Sequence, residues 1–249
     1  MIARAPGRGW RARPASRFLP RIIIACAGLL ATSPAAAELG AQVSVFSDAR
    51  FRGYSLSGGH PVAIVDLSYD DRRGLYAAAS ASALASSADG IKPLGLQLSA
   101  GYARRLGSGI TLDVGATHSA YTRYSSRDTG NSYTEAYGGL SYKFLSSRIA
   151  FSPHYFEHGA RTLYGELNAN IIPASNIQLT GHAGVLMPIG YGGESANMAT
   201  RYDWRVGISR DVGHVSFHLI GSGGGPGRDY YRGHWHNPNA LVAGVSWTL

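Results

Sequence analysis

The sequence has one cysteine, few charges and no long apolar run. Cys26 is the only cysteine among 249 residues, and charged side chains make up 15% of the chain. A single cysteine excludes a disulfide framework. The apolar stretch from Ile22 to Ala31 is shorter than the ~20 residues that a helix needs to cross a bilayer. No segment carries the sustained apolar stripe of an amphipathic helix. These absences argue against a disulfide-rich domain and against a helical membrane protein.

The first 37 residues have the layout of a secretory signal. Six arginines precede the apolar run, no acidic residue occurs before Glu38, and a run of small residues ends at Ala37. A basic region, a short apolar core and a small-residue cleavage site are the parts of an export signal. We predict cleavage after Ala37, which leaves residues 38–249 as one domain without a thiol. A lipoprotein signal ending at Cys26 and an organellar import peptide fit this pattern less well.

The basic character of the chain belongs mostly to that signal. Removing its six arginines lowers the formal net charge from +8 to +2. Because nucleic-acid binding needs a strongly basic surface, we expect no nucleic-acid partner. His234 and His236 with Asp229 are a weak match to a metal site, since they fall in one long glycine-rich loop. We therefore predict no metal, no cofactor and no catalytic residue.

The remaining sequence alternates apolar and polar residues with period two. In "ITLDVGATHS", Leu112 and Val114 stand on one face, and Thr111 and Asp113 on the other. Segments of this kind number twelve. The connections between them alternate between two classes, one short and one that is mostly longer. The short connections are Asp70–Gly74, Arg105–Gly109, Leu145–Ser147, Pro173–Asn176 and Asp211–Gly213. The longest connection of the other class is Gly221–Asn239.

An even strand count with alternating short turns and longer loops is typical of an outer-membrane barrel. Lipid offers no partners to the backbone, so a membrane sheet must close on itself. We predict a closed antiparallel transmembrane β-barrel of about 12 strands, apolar outside and polar in the lumen. A soluble barrel or sandwich, which would bury the apolar face, is the alternative. The aromatic residues near strand ends fit interfacial girdles: Tyr69, Tyr102, Tyr121, Tyr142, Tyr155, Tyr202, Trp204 and Trp247.

The last nine residues, "LVAGVSWTL", place alternating apolar side chains on one face. A terminal strand of this kind resembles the recognition signal of outer-membrane barrels. The usual final residue is aromatic, whereas here it is Leu249, with Trp247 two places earlier. We expect the barrel assembly machinery and outer-membrane lipid as partners, and the outer membrane of a Gram-negative bacterium as the location.

The stretch "SVFSDARFRGYSLSGG" (Ser44 to Gly59) threads charges between apolar residues. As an extended strand, it would place Ala49 and Phe51 on the lipid side and the charged residues in the lumen. This stretch and the segments after it resemble the start of the TorF family of porins. The present sequence departs from that family at two positions: Ala49 stands where an aromatic residue is common, and Ala78 where a glycine is common. The matching residues are Ser47, Asp48, Arg50, Phe51, Arg52, Gly53, Ser55, Ser57, Pro61, Gly74 and Tyr76. The resemblance implies a porin-type outer-membrane barrel.

Charged residues on the polar face are the candidates for lining the lumen. They are Asp48, Arg50, Arg52, Asp113, Glu135, Lys143, Glu166, Arg201, Asp203 and Arg205. Such charges either bias which solutes pass or brace the interior as ion pairs. We predict passive diffusion of small polar solutes or ions. A lipid-modifying barrel hydrolase, for which His214 and Ser216 are weak candidates, and a non-conducting structural or receptor barrel are the alternatives.

Overall fold

The computed structural model describes residues 38–86, 90–107, 109–122, 132–156, 158–190, 199–225 and 238–249. The predicted signal and the histidines of the longest loop lie outside these ranges. Within them, no helix has the length and apolar character that a membrane crossing requires.

The described chain forms strands throughout. Their bounds are β1 (Glu38–Phe46), β2 (Arg50–Phe51), β3 (Tyr54–Ser55), β4 (Val62–Asp70), β5 (Leu75–Ser86), β6 (Gly90–Arg105), β7 (Thr111–Tyr121), β8 (Ser132–Tyr142), β9 (Leu145–Ser152), β10 (Thr162–Ala174), β11 (Ile177–Pro188), β12 (Arg201–Val212), β13 (Val215–Gly225) and β14 (Ala240–Thr248). All except β2 and β3 close into one antiparallel barrel of neighbouring strands, in which β14 returns to β1. The prediction of a closed twelve-stranded barrel is confirmed.

The barrel closes at the contact between its first and last strands. β1 pairs with β4 along its whole length, through nine residue pairs. Its pairing with β14 covers five, from Gln42 to Phe46. The Ser44 hydroxyl donates to the Ser246 hydroxyl at 2.9 Å across this contact. The closing contact is therefore the shorter of the two that hold β1.

Apolar side chains lie on the outside of the wall. Leu112 is 41% exposed and Val206 63% exposed, whereas the alternate residues Asp113 and Asp203 are each 5% exposed. A soluble sandwich would show the opposite arrangement. An apolar outer band around a polar interior is the surface pattern of a transmembrane barrel.

Two connections differ from the sequence expectation. The turn expected at Leu145–Ser147 lies at residues 143–144, because Lys143 adopts a left-handed φ of 53° and Tyr142 already pairs with Leu145. Lys143 is therefore an exposed turn residue and not part of a strand. The glycine-rich start of the longest predicted loop, residues 221–225, instead completes β13 and pairs with β12.

Candidate functional site

The connection between β1 and β4 folds into the barrel. Residues 47–61 leave the wall and form the short hairpin β2–β3, in which Phe51 pairs with Tyr54. Arg52 and Gly53 make the turn with φ values of 45° and 82°. Phe51 packs against the buried apolar cluster of the lumen, with Ala49 beside it. The expectation that these two residues face lipid is wrong, because the chain turns inward after β1 and the strand alternation ends there.

Asp48 holds this segment in its folded shape. Its Oδ1 accepts hydrogen bonds from the Ser55 hydroxyl at 2.5 Å, the Ser57 hydroxyl at 2.7 Å and the Gly59 amide at 3.3 Å. A carboxylate that gathers local donors in this way stabilises a loop against an extended strand. The polar residues that alternate with apolar ones in this part of the sequence thus stabilise a compact turn and not an extended strand.

Arg50 joins the same segment to the residues just before β14. Its Nη2 donates to the carbonyl of Gly53 at 2.7 Å and to that of Pro238 at 2.5 Å, and its Nη1 lies 3.5 Å from Asp48. Gly53 in turn lies against β13, where a Cβ on it would stand 2.8 Å from the Gly224 Cα. Glycine at both places therefore permits the backbones of loop and wall to meet.

Arg52 reaches from the loop to the wall. Its Nη2 donates to both carboxylate oxygens of Glu135 at 2.8 Å, and its guanidinium lies 3.8 Å from the centre of the Tyr164 ring. The exposed fractions of the two side chains are 10% for Arg52 and 7% for Glu135. A buried, charge-assisted pair of this kind, stacked on an aromatic face, is a strong local contact.

An aromatic cluster surrounds this ion pair. The Tyr133 ring centre lies 4.9 Å from that of Tyr155 and 4.6 Å from that of Phe156, and Phe51 lies 5.9 Å from Tyr121. Tyr121 and Tyr155 are 8% and 0% exposed. Their assignment to interfacial girdles is wrong, since inward-facing aromatic residues at strand ends follow the same sequence pattern. We call residues 47–61 together with the rings of Tyr121, Tyr133, Tyr155 and Phe156 the inner plug.

A second network braces the lumen wall on β5, β7, β8 and β9. Asp113 accepts from the Tyr76 hydroxyl at 2.5 Å and from Arg148 at 2.9 Å. The Tyr76 and Tyr137 hydroxyls are also hydrogen-bonded, and the Arg148 guanidinium lies 3.9 Å from the Tyr137 ring centre. Asp113 is therefore held by its neighbours. Arg148 was missed at the sequence level, although the alternation of β9 would have placed it in the lumen.

A third network spans β10, β11 and β12 around His182. Its Nε2 lies 2.8 Å from Asp203 Oδ1, and its Nδ1 lies 2.6 Å from Asn168 Oδ1. The Tyr164 hydroxyl donates to the other oxygen of Asp203 at 3.0 Å. All four side chains are buried. His182 was not predicted as a site residue.

Inward-facing aromatic residues lie over glycines of the adjacent strands. A Cβ on Gly115 would stand 2.5 Å from the Tyr137 hydroxyl oxygen, and one on Gly184 would stand 2.7 Å from Tyr164 Cζ. Covering a neighbouring glycine with a ring is a known device for stabilising sheets. The rings consequently lie along the wall and leave space in the lumen.

A cavity of about 520 Å³ occupies that space. Eight of the ten candidate residues border it: Asp48, Arg50, Arg52, Glu135, Lys143, Glu166, Asp203 and Arg205. Asp113 is engaged as described, and the Arg201 guanidinium lies 4.7 Å from the Tyr54 ring centre. The ten residues thus divide into charges bound to partners, the turn residue Lys143, and two that have few contacts, Glu166 and Arg205.

The pair considered for a hydrolase is not assembled. Ser216 donates to Asp211 Oδ1 at 2.7 Å, and His214 lies in the exposed turn that follows β12. A serine–histidine contact does occur between Ser246 and His218 Nε2 at 2.9 Å. It faces the barrel interior, away from lipid, so it offers no route to a lipid substrate.

The closed barrel, apolar outside and enclosing a polar cavity, defines a porin-like β-barrel. Residues 30–220, more than half of the chain, match the family described as "Bacterial protein of unknown function (Gcw_chp)", and the protein belongs to that family. No curated protein matches the sequence.

Solved porin structures share the fold. A structure described as KdgM porin superposes with a TM-score of 0.50 at 10% identity, over 84% of this chain and 99% of that one. A structure described as NanC porin gives 0.52 at 12% identity, over 85% and 100%. At these identities the likeness establishes the barrel architecture alone. The resemblance to the TorF family stays a prediction.

Proposed function

We propose that the protein is an outer-membrane channel through which small polar solutes or ions diffuse passively. The observation that carries the proposal is the inverted distribution of side chains. The outer band is apolar, as at Val206 and Leu112, while the interior encloses a cavity of about 520 Å³ bordered by charged residues. Water-filled barrels with charged walls conduct ions and select among solutes by charge.

We place the narrowest part of the proposed path at the inner plug. The cavity borders Lys143 and Thr248 at the end with the short turns, and Arg52 with Tyr133 at the plug. A solute entering from the loop side would pass beside Arg52. Since most lumen charges are paired, bracing and solute selection both operate here: paired charges hold the lumen open, and charges without close partners meet the solute.

We propose the outer membrane of a Gram-negative bacterium as the location, reached through export directed by residues 1–37. β14 supports this proposal because its outward residues Leu241, Val245 and Trp247 are 70%, 41% and 58% exposed. Such a terminal strand suits recognition by the barrel assembly machinery, with outer-membrane lipid as the later surroundings. Fractionation of cells expressing the full gene, with mass determination of the mature chain, tests both location and cleavage after Ala37.

Conductance across a planar bilayer tests the channel. Protein purified from membranes of expressing cells is expected to produce stepwise, voltage-independent current increments at about 1 M salt. Preparations taken in parallel from cells with an empty vector control for contaminating porins. Inserted protein, verified by protease protection in vesicles, that carries no current would refute the channel.

The plug supports one alternative, a non-conducting structural or receptor barrel. Tyr155 and Phe156 are 0% and 2% exposed inside the lumen, so this part is packed as tightly as a protein core. A barrel of this kind would remain silent when the plug is intact and would conduct only after residues 49–58 are replaced by a short glycine–serine linker. The two functions therefore differ in the current of the unaltered protein.

A further inference from the structure

Arg205 stands apart from the other lumen arginines. Arg50, Arg52 and Arg148 each bind a carboxylate, whereas no hydrogen bond or ion pair joins Arg205 to another residue in the described part of the chain. Arg205 borders the cavity from β12 and interacts electrostatically with the carboxylates of Asp203 and Glu166. A half-buried guanidinium that has no partner among the described residues has unused donors.

Glu166 has unused acceptor capacity in the same cavity. The Asn168 amide donates to its Oε1 at the long distance of 3.3 Å, and a carboxylate can accept about four hydrogen bonds. No ion pair joins Glu166 to Arg205 in the described part of the chain. Glu166 on β10 and Arg205 on β12 are separated by β11, where His182 pairs with both Asn168 and Arg205. The cavity is thus bordered by a carboxylate and a guanidinium cation that form no ion pair with each other.

The polar residues around this gap bind one another. Asp203 is engaged by His182 at 2.8 Å and by the Tyr164 hydroxyl at 3.0 Å. Asn168 is engaged by His182. Because these partners hold one another, Arg205 and Glu166 are left facing the cavity with unused hydrogen-bonding capacity.

We propose that this pair binds a small zwitterion of the α-amino-acid class, with its carboxylate on Arg205 and its ammonium group on Glu166. A planar guanidinium matches a carboxylate through two parallel hydrogen bonds, and a carboxylate accepts from an ammonium group. The opposite charges of one small molecule would fill the gap that the protein leaves. The inference rests on the proposed channel, since the solute must enter the lumen, and it names the class of solute.

Three probes of similar size separate the two halves of the site. L-alanine carries both charges, propionate only the carboxylate, and ethylamine only the ammonium group. Their binding to the full protein in detergent is measured by ligand-observed saturation-transfer NMR, which does not depend on conduction. The variants are Arg205→Gln and Glu166→Gln, with Arg210→Gln as the control because Arg210 is exposed on the same strand. Heat-modifiable gel mobility verifies that each barrel is folded.

The expected result is that L-alanine binds about tenfold or more tightly than either single-charge probe, since each charged hydrogen-bonding contact contributes at least that factor. Arg205→Gln should abolish this advantage over ethylamine, Glu166→Gln should abolish it over propionate, and Arg210→Gln should change neither. Equal binding of the three probes, or an alanine preference that survives both variants, would overturn the inference. A conducting barrel without alanine binding would refute the solute class and leave the channel standing, whereas alanine binding to a silent barrel would refute the channel.

Discussion

The contact between Arg52 and Glu135 provides the most direct test of the inner plug. Replacing Arg52 with Ala leaves Glu135, which is 6% exposed, without its cation. Breaking a buried ion pair from one side costs about 3–5 kcal/mol, and every ~1.4 kcal/mol is a factor of ten in an equilibrium. We therefore expect the fraction of molecules with the plug detached to rise by about two to four orders of magnitude, while the barrel wall remains folded.

Thiol labelling measures that detachment without any assumption about conduction. Leu56 lies within the plug and is 8% exposed, and the mature chain expected after loss of Cys26 has no other cysteine. A Leu56→Cys protein should react slowly with a maleimide, and adding Arg52→Ala should raise the rate about a hundredfold or more. Arg72→Ala, in an exposed turn, is the matched control and should leave the rate unchanged.

A compensating double variant shows whether the charge itself is responsible. Arg52→Met with Glu135→Leu removes both charges and keeps apolar volume, a replacement that is often neutral for a buried pair. Slow labelling should return in this protein. If Arg52→Ala labels at the parental rate, the ion pair does not hold the plug and the reasoning fails.

Three further predictions concern the wall. Gly115→Ala should destabilise the barrel by about 1–3 kcal/mol in urea unfolding, since its Cβ would stand 2.5 Å from the Tyr137 hydroxyl oxygen; Gly138→Ala, with nothing within 4 Å, should be neutral. Arg205→Gln should shift the reversal potential in a salt gradient toward cations, because it removes a positive charge that has no ion-pair partner among the described residues; an unchanged potential would place Arg205 off the path. A nitroxide on Val206→Cys should be relaxed by oxygen from the lipid phase and not by a water-soluble paramagnet, and the reverse pattern would contradict the outward orientation.

The barrel itself could be predicted from the sequence because a strand repeats every two residues. In β7, Leu112 and Asp113 alternate for the same reason that they face lipid and lumen, so periodicity alone assigns the faces. The twelve strands and the alternation of short and longer connections follow from the same pattern. Local information was sufficient for these features.

The plug could not be predicted in this way. Asp48, Arg50 and Arg52 also alternate with apolar residues, so a loop that folds inward has the same pattern as a strand. Its shape depends on Glu135 and Pro238, which are distant in sequence. Pairing across 83 or 188 positions leaves no local signature.

The assignment of two aromatic residues to interfacial girdles was wrong for a related reason. Tyr121 and Tyr155 stand at strand ends, as girdle residues do, and only the three-dimensional structure places them inside. That Arg205 has no ion-pair partner among the described residues was equally inaccessible, because Asp203 is bound by His182 on another strand. Sequence periodicity indicates a face, whereas the partner of a side chain on that face is a tertiary property.

The short contact between β1 and β14 has a mechanical consequence. β14 is held by eight residue pairs on its β13 side and by five on its β1 side. When a force is applied to the two termini, the edge with fewer hydrogen bonds should part first, and the cylinder should then unroll into a curved sheet from that line. A covalent link between the two terminal strands would accordingly raise the rupture force more than the same link placed between any other neighbours.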